Sequence, residues 1–346
     1  LKKWLMLLIV LLAGAAGLGV WALLNPFQGF RGELFVDIAR GSGTSGIARE
    51  LASKGVIQYE WQFKLARALN PSAKLQAGEY RFAKAASVRE VYQRIARGDV
   101  YYFDFTVPEG SNMFDIAQAL ETQGIMKAAD FLEVAADTRL IQDLAPKAKT
   151  LEGYLFPSTY RLTHATTAAQ LAKQMVDEFR KEWQKLNAPA SADANRIVIL
   201  ASLVEKETGV KDERPLIASV FANRLEKGMR LECDPTTIYA ALLDHRYKGV
   251  IHRSDLDSKN PYNTYQNAGL PPGPIANPGA ASLAAALSPA VTKYLFFVAK
   301  PVGSREAGGH QFSATIAEHE KAVAAYRRGE RGAHAKSSAP AMETAR

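Results

Sequence analysis

Two glutamates, Glu205 and Glu207, follow an almost wholly apolar run from Ile197 to Val204, with Lys206 between them. A carboxyl group held against apolar neighbours keeps its proton to a higher pH than one in water. An acid still protonated near neutrality can serve as a general acid. On a helix, Leu200, Leu203, Val204 and Glu207 share one stripe, at i, i+3, i+4 and i+7. Glu205 lies about 200° around the helix from Glu207, on the stripe of Val198 and Ala201. The two carboxylates therefore cannot face one cleft. One turns to the interior or a groove, and the other to solvent or a salt bridge. The competing reading is an ordinary helix end with solvated acids, since structural pairs perturb carboxylates as well.

Another carboxylate, Glu152, sits in LEGYLFPSTYRL (151–162) among Leu151, Tyr154, Leu155, Phe156 and Tyr160. Aromatic rings beside a carboxylate suit a sugar: the rings stack on its apolar faces and the carboxylate takes hydroxyl hydrogen bonds. A core strand with one capping glutamate is the alternative. A long irregular segment, Ser254 to Gly279, carries YNTY (262–265) and GLPPGPIANPG (269–279). Loops of this length inside a domain are functional or disordered, and the stiff aromatic composition favours function. Asp234 before Pro235 reads as a helix N-cap.

The elements that must position these groups are mainly helical. Helices are expected over 168–186, 195–208 and 214–227, with another starting at Asp234, and a buried strand over 294–299. The N-terminal half carries an internal repeat. ARGSGTSGIARELASKGVI (39–57) aligns without gaps to PEGSNMFDIAQALETQGIM (108–126), matching Gly41 to Gly110, Ile47 to Ile116, Leu51 to Leu120 and Gly55 to Gly124. Each copy predicts a strand (ELFVDI, YYFDFTV), a Gly-Ser turn, a short helix and a glycine at its C-terminal end. Between them, LQAGEYRF (75–82) reads as a strand. SVREVYQRIARG (87–98) reads as a helix with a Ser87–Glu90 capping box. The resulting module, 30–100, resembles a LysM-like α+β unit, a class that binds N-acetylglucosamine-containing glycans. A structural spacer is the other reading, since fold alone does not give function.

At 346 residues, 47% hydrophobic and 23% charged, the chain is globular and long enough for two or three domains. A formal charge of +8 favours an acidic partner: nucleic acid, anionic lipid or an acidic cell-wall polymer. Nucleic acid is disfavoured, because no zinc-ligand spacing, RNP-like motif or phosphate-binding glycine loop occurs. The one cysteine, Cys233, excludes an intrachain disulfide and a cysteine metal cluster, and the six histidines are scattered without an HExxH pattern. Neither a metal nor a cofactor is expected.

Trp4 to Leu24 is an uncharged apolar run preceded by Lys2 and Lys3. Its length of roughly 20 residues suffices to cross a bilayer as a helix, with the lysines retained in the cytoplasm and the rest exported. A cleaved signal peptide competes, since Ala13-Gly14-Ala15 resembles a cleavage site. The apolar run continues well past that site, which favours a retained anchor. From Gly329 the tail GERGAHAKSSAPAMETAR is low in apolar residues and reads as disordered.

LEGYLFPSTYRL, ASLVEKETG, FANRLEKGMRLECDPTTIYA, PYNTYQNAGLPPGPIANPGAASL and GGHQF occur in this order after the apolar N-terminus. Together they closely resemble the endolytic murein transglycosylase (YceG-like) family, over residues 1–328. The resemblance implies an inner-membrane protein with one span and a periplasmic catalytic domain. Its implied activity is lytic cleavage of peptidoglycan glycan strands to 1,6-anhydro ends, near the peptidoglycan synthases. The acid/base it implies is a glutamate of the EKE motif, carried here to Glu207 with Glu205 as fallback. Tyr262, Asn263 and Tyr265 are the expected substrate contacts, with Glu152 in the substrate site orienting a sugar or the catalytic helix. Cys233 stands where a polar residue is more usual and receives no catalytic role. The expected organisation is an α+β chain: anchor at 1–29, LysM-like module at 30–100, a mainly helical catalytic domain with short strands at 101–328 and the tail at 329–346. A non-catalytic, membrane-tethered peptidoglycan-binding scaffold is the rival from another class, and a hydrolytic lysozyme-like enzyme is the third option.

Overall fold

The computed structural model describes residues 2–300 and 308–337. The chain folds as two compact units. The first comprises Leu1–Phe105 with Arg161–Thr166, and the second Thr106–Tyr160 with Thr167–Arg346.

The first unit opens with α1 (Lys2–Leu24), a helix long and apolar enough to cross a membrane. Its side chains are almost all exposed, but Ala22 near its end is buried, and Gln62 Nε2 donates to the Ala22 carbonyl at 3.2 Å. Then come β1 (Leu34–Ile38), α2 (Thr44–Ser53), α3 (Glu60–Leu69), β2 (Gly78–Phe82) and α4 (Val88–Arg97). β1 and β2 pair antiparallel, Leu34 opposite Phe82 and Ile38 opposite Gly78. The core beneath them holds Val36, Ile47, Leu51, Phe63, Tyr80, Val91 and Ile95.

The capping box of α4 forms as its sequence predicts: Glu90 N donates to Ser87 Oγ at 3.3 Å and Ser87 N to Glu90 Oε2 at 2.8 Å. Helix α3 has no counterpart in the sequence reading. Its inward stripe is Gln62, Phe63 and Ala66, while Trp61 and Leu69 point to solvent, so its apolar periodicity is blurred.

The chain passes from the first unit to the second within β3 (Phe103–Thr106), and the boundary falls again within β4 (Thr159–Leu162). The second unit carries α5 (Met113–Thr122), α6 (Ala128–Ala135), α7 (Ala168–Lys185), α8 (Ala194–Glu207) and α9 (Arg214–Glu226). It continues with α10 (Asp234–Leu243), the single-turn α11 (Arg253–Leu256), α12 (Ala280–Leu287), β5 (Phe296–Ala299), β6 (His310–Ser313) and α13 (Ile316–Ser337). Helix α8 is the centre of this unit. Val198 to Val204 are all buried, and the helix packs against α9, α10 and α12.

Three expectations are corrected. Residues 294–299 do not make a fully buried strand: β5 is a half-buried member of an antiparallel pair, with Phe296 opposite Ser313. The segment from Gly329 is helical through Ser337, because alanine, arginine and glutamate favour helix despite their low hydrophobicity. The rest of that tail lies outside the described residues. Asp234 is not an N-cap. Cys233 holds that position, and Asp234 is the first helical residue.

Candidate active site

Helix α8 ends where its apolar stripes meet the two carboxylates, and they part as the helix pitch requires. Glu205 is bound on both oxygens. Arg214 Nη2 donates to its Oε1 at 3.1 Å, and Gly279 N donates to its Oε2 at 3.0 Å. Both partners of the Glu205–Arg214 ion pair have side chains only 5% exposed. Arg214 also donates from Nε to Ser282 Oγ at 2.9 Å and approaches Glu109, while its Nη1 is buried without a partner. Glu205 is therefore a structural bolt between α8, α9 and the start of α12.

Glu207 is different. No cationic side chain is paired with it among the described residues, and its partner is the thiol of Cys233. The residue is half-buried. Burial raises its pKa above the ordinary carboxylate value. The Cys233 hydrogen bond and the nearby His310 oppose that shift, and the negative charge of Asp234 adds to it. His310 is in turn held by Glu213, through its backbone N and through Nδ1, each at 2.7 Å. Glu207 is thus a buried carboxyl group that no lysine or arginine holds among the described residues.

The segment YNTY is stitched to the start of α10, beside this acid. Cys233 N donates to Thr264 Oγ1 at 3.1 Å, and the Thr236 and Thr264 hydroxyls are 2.9 Å apart. Asn263 was expected to touch substrate. It is fully buried instead, donating from Nδ2 to the carbonyls of Asp255, Leu256 and Ser258 and accepting from Tyr265 N at 3.0 Å. Its role is to shape the turn that presents the two tyrosines. Both Tyr262 and Tyr265 are half-buried. Tyr265 Oη donates to Asp234 Oδ1 at 2.6 Å, while the Tyr262 ring lies 5.1 Å from that of Tyr239. Burial pushes the Tyr262 phenol up to about 12.

Glu152, also expected at the substrate, is 1% exposed. It accepts from Met113 N at 2.9 Å, Tyr239 Oη at 2.9 Å and Asn277 Nδ2 at 2.9 Å. Burial pushes this carboxyl up to about 8, against the pull of the Met113 and Tyr239 donors. A group so enclosed cannot reach a sugar. The aromatic neighbours that suggested one are core: Tyr154, Phe156 and Tyr160 are all buried.

Sequence reasoning missed Asn277. Its amide ties three segments together, accepting from Gly153 N at 2.8 Å and Leu155 N at 2.9 Å and donating to Ser111 O and Glu152. It also missed Asp234 and the His310–Glu213 pair as neighbours of the acid. Their signal was present in the motifs ECDPTT and GGHQF, but nothing in either says which side chains face Glu207. No cluster of three or more His, Cys, Asp or Glu side chains suited to a metal exists among the described residues.

Comparison with known proteins agrees with this architecture. Residues 36–325 match the family model described as YceG-like. A Bacillus subtilis protein named endolytic murein transglycosylase is 34% identical over 340 residues, covering 91% of either chain. A Streptococcus pneumoniae protein of the same name is 28% identical over 76% of this chain, which spans only 54% of that relative. A crystal structure of a yceG-like protein from Listeria monocytogenes superposes with a TM-score of 0.52 at 33% identity, covering 84% of this chain and 98% of that one. The chain belongs to the YceG-like family.

Proposed function

We propose that this protein is a membrane-anchored endolytic transglycosylase of peptidoglycan, with Glu207 as its acid and base. The observation that carries the reading is the contrast at the end of α8. Glu205 is locked to Arg214, whereas Glu207 has its pKa raised by burial and is paired with no lysine or arginine among the described residues. The names of the two relatives support the substrate class.

In this reading Glu207 begins protonated and donates to the glycosidic oxygen that links N-acetylmuramic acid to N-acetylglucosamine. The C1–O bond breaks, and its electron pair stays on the departing oxygen. The muramic C6 oxygen attacks C1, and its proton passes to the Glu207 carboxylate. One group serves both steps, because the nucleophile is internal and neither water nor a second carboxylate nucleophile has to be activated. Tyr262 and Tyr265 are its sugar contacts. Helix α1 is the membrane anchor, with Lys2 and Lys3 on the cytoplasmic side. The β1–α2–α3–β2 order supports a LysM-like reading of the first unit, to which we assign the holding of glycan, and the synthases that supply nascent strands are the natural protein neighbours.

The test uses the full chain in detergent, purified glycan strands and mass spectrometry of the products. Anhydro-ended fragments from the wild type, reduced about 10²–10⁴-fold in Glu207→Gln, are expected. Reducing ends in their place would mean hydrolysis. Glycan binding without any cleavage, on nascent strands as well, would mean a scaffold.

A further inference from the structure

We propose that Asp234 is the second carboxylate of the reaction, presented to the anomeric carbon by Tyr265 while Glu207 handles the proton. The proposal rests on the transglycosylase reading above and deepens it.

Asp234 has features that a capping or surface residue does not need. It is the first residue of α10 yet caps nothing, since Cys233 is the N-cap and no side chain closes that end. It is exposed, and no lysine or arginine is paired with it among the described residues. Its charge is therefore available to a ligand. The residue before it, Cys233, lies against Glu207, and the charge of Asp234 acts on both of them, so the two carboxylates border the same spot. The Tyr265 hydroxyl donates to Asp234 Oδ1 at 2.6 Å, which fixes the carboxylate and leaves its other oxygen open. Tyr265 is itself held at both backbone groups: its N donates to Asn263 Oδ1 at 3.0 Å, and its carbonyl accepts from Arg230 Nη1 at 3.1 Å. An exposed aspartate would not need so rigid a support for solubility alone.

The chemistry needs such a group. As the C1–O bond lengthens, positive charge builds on C1 and the ring oxygen. A fixed carboxylate beside that charge stabilises the transition state more than the ground state. Asp234 gains and loses no proton and forms no bond. The proton still travels from Glu207 to the leaving oxygen and from the C6 hydroxyl back to Glu207. The same negative charge keeps Glu207 protonated to a higher pH. Around the two carboxylates stand Cys233 and Glu232 before α10, Tyr265 from the loop and the His310–Glu213 pair.

The experiment compares the full-length wild type with Asp234→Asn, Asp234→Glu, Tyr265→Phe and Glu207→Gln. Anhydro products are followed from pH 4.5 to 9 and across substrate concentrations. Asp234→Asn should lower kcat by ~10²–10³-fold with KM changed less than about threefold. Its remaining activity should be lost at lower pH on the alkaline side, because Glu207 gives up its proton earlier. Tyr265→Phe should cost about 5–10-fold, and Asp234→Glu should recover part of the loss. Asn can accept the tyrosine hydrogen bond, so the fold should hold. If Asp234→Asn nevertheless unfolds, Tyr265→Phe and Asp234→Glu carry the test, and wild-type rates in both overturn the proposal. So does an Asp234→Asn enzyme with an unmoved alkaline limb and a kcat within threefold of wild type, or one changed only in KM. A wild type that yields no anhydro products would instead remove the transglycosylase reading itself. Wild-type activity with a dead Glu207→Gln isolates the question to Asp234.

Discussion

The two copies of the internal repeat share a backbone and differ in what is built on it. Copy one supplies β1 and α2, and copy two supplies β3 and α5. The matched Gly41, Gly110, Gly55 and Gly124 all have positive φ, between +69° and +82°. The matched apolar pairs Ile47 and Ile116, Ala48 and Ala117, and Leu51 and Leu120 are all buried. At the helix start the copies part. Copy one has Gly43 as N-cap and no side-chain cap, and a side chain added at Gly41, Gly43 or Gly46 would meet open space. Copy two has Asn112 and Asp115 at the positions of Gly43 and Gly46, and they form a capping box. Its turn is also woven into the site: Lys206 Nζ donates to Gly110 O at 3.2 Å, Gly110 N donates to Asn277 O at 3.0 Å, and Met113 N donates to Glu152. One glycine-rich turn thus serves as a bare connection in one unit and as the bed of the α8 terminus in the other. Apolar periodicity specifies the shared fold, and a few polar replacements specify the use.

Breaking the bed should cost most. Glu152→Ala removes the acceptor of three buried donors and leaves a cavity, so it should lower the unfolding free energy by ~3–5 kcal/mol in a denaturant titration. A loss below about 1 kcal/mol would mean that copy two does not depend on it. The same carboxyl gives a pH signature. Its folded pKa is about 8 against an ordinary 4.5, so the unfolded chain releases the proton first as pH rises. Stability should therefore fall with rising pH across that window, by up to ~1.4 kcal/mol per pH unit. Glu152→Gln should abolish the slope.

Next comes Arg214→Met, which strands the buried Glu205 charge and should cost about 3 kcal/mol together with activity. The paired glycines discriminate more finely. Gly124→Ala should cost ~1 kcal/mol for a left-handed residue in open space. Gly55→Ala should cost at least about 1 kcal/mol more, because the added carbon lies 2.9 Å from the Gly29 backbone. Equal thermal shifts would void that distinction. The smallest effect is a gain: Gly43→Asn with Gly46→Asp transplants the capping box into copy one and should raise stability by ~1 kcal/mol.

The sequence was informative wherever periodicity or local chemistry carries the signal. The helices over 168–185, 194–207 and 214–226, both repeat copies and the α4 capping box follow from apolar spacing and turn residues alone. So does the divergence of Glu205 and Glu207, a consequence of helix pitch. What did not follow is long-range pairing. Glu152, Asn263 and Asn277 are polar residues in polar or aromatic segments, and a sequence cannot say whether such groups meet a ligand or each other. Burial decided it: Glu152 and Asn277 satisfy one another, and Asn263 satisfies its own turn. Asp234 reads as a cap for the same reason, since Asp-Pro has a strong local meaning and its real partner, Tyr265, lies far along the chain.

The chain's one cysteine also offers a clock. Cys233 is buried behind the acid, with its thiol engaged by Glu207 and burial holding its pKa well up. An alkylating reagent can reach it only when the floor beneath Glu207 opens, and only the small thiolate fraction reacts. The labelling rate of native protein therefore times that opening, without any engineered probe. Glycan seated over Glu207 should slow it, so a saturable protection against alkylation would report occupancy of the site by a route independent of turnover.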